Sequence, residues 1–104
     1  MVFANKENTM SNRIKFTTWG RKASDLNFAS YAVCHEHETP IEAVSRSIER
    51  STGLTICAGP RNDGTAMENN EPVANHYQLA LGTPCRGGGY SPEAEVWVSV
   101  PVDV

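Results

Sequence analysis

The sequence has no long apolar run, no close pair of cysteines and no catalytic motif of standard spacing. No stretch approaches the roughly 20 consecutive apolar residues that a membrane-crossing helix needs. The opening residues 1–11 are polar and hold no apolar core of a secretion signal. Together these absences predict a cytoplasmic location, away from membranes. The cysteines Cys34, Cys57 and Cys85 are three, an odd number. Small secreted frameworks pair an even number, so three reduced thiols are expected. Basic charge is also scarce. Residues 1–25 hold five bases against two acids, and residues 26–104 hold four arginines against ten acids. The net charge of −3 argues against a strongly basic nucleic-acid binder, and the acids are too dilute to imitate a phosphate backbone.

What remains is an ordinary globular composition, 39% hydrophobic and 20% charged, of single-domain length. We expect a flexible leader over residues 1–11 and one domain over 12–104. The clearest segment runs from Glu36 to Gly53. Thr39 suits a helix N-cap, Pro40 is tolerated in the first turn, and Glu42 completes a T-x-x-E capping box. Gly53 can take the left-handed conformation that closes the helix, and Leu54 can fold back on the last turn. Ile41, Val44 and Ile48 form the apolar stripe.

The flanking segments alternate like strands. Arg13 to Trp19 places Ile14, Phe16 and Thr18 on one face and Arg13, Lys15, Thr17 and Trp19 on the other. Leu26 to His35 is apolar on both faces. Leu54 to Ala58 is short. Val73 to Leu81 presents Val73, Tyr77, Leu79 and Leu81 on one side. Glu95 to Val102 alternates most regularly, with Val96, Val98, Val100 and Val102 opposite Glu95, Trp97 and Ser99. Between these lie two polar segments, Gly59–Pro72 and Gly82–Ala94, expected as long loops. The predicted fold is α+β, in the order β-β-α-β-β-β, with one helix packed on a small, mostly antiparallel sheet. A single helix leaves the other sheet face open.

Five constellations could carry chemistry. Cys34, His35, His37, Cys57, His76 and Cys85 are potential zinc ligands, but their spacings match no standard site. Cys85 beside Arg86 is the thiol best placed for activation, without a surrounding signature. The run Thr83 to Tyr90 is glycine-rich, yet it lacks the G-K-[ST] entry into a helix that a phosphate loop uses. Arg13, Lys15 and Trp19 share a strand face and could hold a single nucleic-acid strand. The acids Glu36 and Glu38, and Glu42 and Glu49, are spaced to share faces, and Glu38 and Glu42 suit the positive end of the helix dipole.

The reading that follows is a small non-enzymatic binding protein, with no metal and no cofactor, acting through protein contact. Its open face would also allow a homo-oligomer. Size and shape suggest by analogy an accessory or inhibitory protein of a phage or mobile element. The expected contact residues are Trp19, Arg86, Tyr90 and Trp97, types enriched at the energetic centres of interfaces. The alternatives are single-stranded nucleic-acid binding through Arg13, Lys15 and Trp19, and a metal- or thiol-dependent enzyme using Cys34, His35, His37 and His76.

Overall fold

The helix forms where its punctuation predicts. In the computed structural model, which describes residues 13–102, α1 spans Pro40–Thr52. Thr39 Oγ1 accepts from the Glu42 amide at 3.3 Å, and the Thr39 amide donates to Glu42 Oε1 at 2.9 Å. Two otherwise orphaned donors are thereby satisfied. At the other end Gly53 has φ 75° and donates to the Glu49 carbonyl at 3.0 Å. The helix buries Ala43, Val44 and Ile48 completely. Full burial of a Val or Ile side chain contributes about 1.5–3 kcal/mol, so this stripe fixes α1 to the sheet.

Among the described residues six strands complete the α+β fold: β1 (Arg13–Lys15), β2 (Thr17–Arg21), β3 (Tyr31–Val33), β4 (Thr55–Glu68), β5 (Glu71–Pro84) and β6 (Tyr90–Pro101). A 3₁₀ turn at Ala23–Asp25 lies between β2 and β3. The β1–β3 pair forms a two-stranded ribbon, and the other four make an antiparallel sheet in the order β2-β6-β5-β4. Ile14 and Phe16 join Leu79, Leu81, Val96, Val98 and Val100 in one core under α1. Among the described residues no polar or charged residue is wholly buried, although Ser45 Oγ is shielded from solvent without a hydrogen-bond partner. The leader expected over residues 1–11 lies outside the described residues.

Three sequence expectations need correction. Arg13 to Trp19 is not one strand. It breaks at Phe16, whose amide donates to the Ser30 carbonyl at 3.2 Å. Before the break the chain pairs with β3, and after it with β6. Leu26 to His35 is likewise shorter than its composition implied, since only Tyr31–Val33 is strand. Once β2 turns to β6 as its partner, Leu26 to Ala29 have no ladder to join.

The third correction concerns the two loops, which are mostly strand. β4 continues through the polar segment and turns at Asn69 and Asn70, with φ 53° and 65°. Two consecutive positive φ values suit a tight hairpin, and asparagine tolerates them. Of four register irregularities in the β4–β5 ladder, two span Pro60 and Gly64. The arm is exposed along most of its length, so it carries no apolar alternation to betray it. The second segment shrinks to a turn around Cys85–Gly89, where Cys85 and Gly89 pair through the backbone at 3.0 Å.

Candidate sheet-face binding site

The face of the four-stranded sheet opposite α1 carries a band of large side chains in adjacent register. Trp19 faces Trp97, Trp97 faces Gln78, and Gln78 faces Arg61, across all four strands. One row away, Thr17, Ser99 and His76 line up, and on the other side Arg21 faces Glu95. The odd-numbered residues of β2 point outward because Ile14 and Phe16 anchor the opposite face in the core.

Specific contacts order this band. Trp97 Nε1 donates to Asp63 Oδ2 at 2.9 Å, and Arg61 donates to Gln78 Oε1 at 2.6 Å. The Trp19 ring meets His76 edge-on, with centroids 5.4 Å apart and planes at 82°. This edge-to-face geometry is favoured by the ring quadrupole. Gly20 makes room for the Trp97 ring. A Cβ there would approach Glu95 O to 2.5 Å and Trp97 Cε3 to 2.9 Å, at a φ of 125°. Trp19 is 42% exposed while Trp97 is half-buried, so one indole is presented and the other supports it.

Of the four residues expected to make contact, the fold joins Trp19 and Trp97 only. Arg86 and Tyr90 sit at the β5–β6 turn. Tyr90 is seven residues from Trp97 along β6, roughly 23 Å at the rise of a strand. Gln78, His76, Arg61 and Asp63 are partners that sequence reasoning missed. Arg61 and Asp63 lie in the segment read as a loop, where nothing in the pattern marks the strand.

The cysteine and histidine set is dispersed. Cys34 is buried and its thiol donates to the Glu38 carbonyl at 3.1 Å. Its pKa is raised, first by burial and then by the charge of Glu38. A thiol held protonated is a poor nucleophile. His35 and His37 are exposed, and His76 packs on Trp19 in the other sheet. No group of three or more metal-ligating side chains is found among the described residues. Cys85 is exposed in its turn, and Cys57 is half-buried with its thiol on the Ala80 carbonyl at 3.6 Å.

The acids and bases near α1 are structural. Arg46 donates to both oxygens of Glu38, at 2.8 and 3.1 Å, and to the Val33 carbonyl at 2.6 Å. The His35 amide adds a third bond to Glu38 at 2.9 Å. Hydrogen bonding from Arg46 and then His35 lowers the Glu38 carboxyl to about 2. Ser47 donates to the Tyr31 carbonyl at 3.2 Å, so two side chains of α1 bond to the backbone of β3.

Arg13 and Lys15 separate from Trp19. Both belong to the ribbon, where Arg13 stacks over the Tyr31 ring at 4.2 Å and Lys15 lies directly opposite Tyr31. No helix among the described residues is long and apolar enough to cross a membrane. No family model, curated protein or solved structure matches the chain.

Proposed function

We propose that this protein is a non-enzymatic binding module that contacts a protein partner through the outer face of its four-stranded sheet. The observation that carries this reading is the Trp19–Trp97 register pair, with one indole exposed and the other fixed by Asp63. Tryptophan and arginine in a pre-ordered setting are typical of interface energetic centres. Ordering the side chains before association lowers the entropic cost of binding.

Charge favours protein over nucleic acid on this face. Arg21 and Arg61 are matched by Glu95 and Asp63, so the band offers no excess of positive charge. A carboxylate at the Trp97 indole would also repel a phosphate close to the best stacking surface. Mixed charges around exposed aromatic groups suit another protein's surface.

The test is a photo-crosslinking residue placed at Trp19, with the same residue at the exposed Glu36 as control, in cells expressing the full chain. The proposal expects discrete protein adducts from position 19 alone. Identical adducts from both positions, or adducts from position 36 alone, would refute it.

A further inference from the structure

We infer that a second site, the cleft between β3 and the last turns of α1, binds single-stranded nucleic acid. It lies on the ribbon and the helix, away from the tryptophan band, and stands independently of the function proposed above.

The cleft is an open depression of about 500 Å³, and Tyr31, Val33, His35, Arg46, Arg50 and Ser51 contribute to its walls. That volume lies within the usual range for small-ligand sites and admits one nucleotide unit. Arg46 is committed to Glu38 and the Val33 carbonyl, so it holds the wall in place and neutralises the nearest acid. Arg13, Lys15 and Arg50 are not so committed. Among the described residues none of them has a carboxylate within ion-pair distance. All three are exposed, and each lies near Tyr31: Arg13 over the ring, Lys15 opposite it in the ladder, and Arg50 in the same cleft. In a chain of net charge −3 this is a local reversal of sign.

The chemistry of that set selects the ligand. Cations alone would take any anion. Here they surround a planar stack, with Tyr31 44% exposed and a guanidinium lying over it. Bases stack on aromatic rings and on arginine planes, while phosphates pair with neighbouring cations. An acidic peptide could use Arg50 and Lys15 but has nothing to place on the Arg13–Tyr31 stack. A base on the stack and its flanking phosphates on Arg50 and Lys15 use every group. Trp19, which the sequence placed beside Arg13 and Lys15, belongs to the other sheet and is not needed.

Anisotropy of fluorescein-labelled dT12 and rU12, titrated with the full chain at 50 mM salt, tests the proposal. Saturable binding is expected, weakening roughly twentyfold at 200 mM salt if about three phosphates are neutralised. Arg50→Gln and Tyr31→Leu should each weaken binding about tenfold or more, while Met67→Ala, at an exposed position on the distal part of β4, leaves it unchanged. Amide NMR shifts of the unaltered protein provide a measurement that does not depend on variant folding. They should move around Tyr31–His35 and Arg50–Thr52 on adding dT12. Absence of binding, wild-type affinity in both cleft variants, equal competition by poly-glutamate, or shifts confined to the Trp19–Trp97 band would each overturn the proposal.

Discussion

Trp97 donates its indole N–H to Asp63 across β5, from β6 to the irregular edge strand β4. The bond ties the centre of the outer face to a residue whose neighbours read as loop. It follows that Asp63→Ala should loosen the tryptophan without unfolding the domain. A hydrogen bond to a charged group contributes about 1.5–3 kcal/mol, and the low end applies on this exposed face. The measurement is the Trp fluorescence maximum together with the melting midpoint. A red-shifted maximum with a midpoint a few degrees lower is expected.

Gly20→Val should cost more than Trp19→Ala. The new Cβ meets a backbone oxygen and the Trp97 ring, and the backbone sits at a φ that β-branched residues avoid. Strain of this kind costs on the order of 1–3 kcal/mol before the clash is counted. Trp19→Ala should leave the melt close to wild type, because that ring is substantially exposed. Denaturant melts of the two variants side by side will show this order.

The helix punctuation was fully legible in the sequence because capping is local chemistry. Thr39→Ala should destabilise the protein by about 0.5–2 kcal/mol, since it strands the Glu42 amide. Gly53→Val should also destabilise it through the left-handed closing residue. Chemical denaturation of each variant is the check.

Other features were less legible, for reasons of distance. The α+β class, the buried valines of β6 and the open sheet face all follow from alternation that one segment displays by itself. The break at Phe16 does not. It depends on a change of pairing partner, and residues on either side keep the same alternation. The outer part of β4, from Gly59 to Glu68, is polar on both faces and carries no period, and only the Asn69–Asn70 turn would have marked it. The site was half legible. Tryptophans on outward positions can be found by counting, but their pairing with each other, and with Asp63 and His76, is set by register.

Acid stability should depend on Glu38. Its carboxyl is lowered to about 2 in the folded state by Arg46 and the His35 amide. The unfolded chain returns it to its ordinary value of 4.5. The folded pKa is the lower one, so the contribution is complete above about pH 4.5 and is lost as pH falls toward 2. Glu38→Gln should therefore flatten the fall in melting temperature between pH 4.5 and 2. Arg46→Leu should flatten it as well. An unchanged acid limb in both would show that the pair does not govern it.

Native maleimide labelling should rank the thiols by exposure. Cys85, in its open turn, reacts first and Cys57 second, while buried Cys34 reacts last, its thiol held protonated. Peptide mapping at timed intervals gives the order directly. Rapid modification of Cys34 in folded protein would show that the region beneath the Glu38–Arg46 pair opens readily.

The central claim is that the outer sheet face is where this protein meets its partner. Crosslinking from position 19 in living cells, compared with position 36, tests it most directly. The account predicts adducts of defined mass from position 19, abolished when Trp97→Ala is combined with the probe, and none from position 36. Adducts that persist without Trp97, or that form equally from position 36, would contradict it.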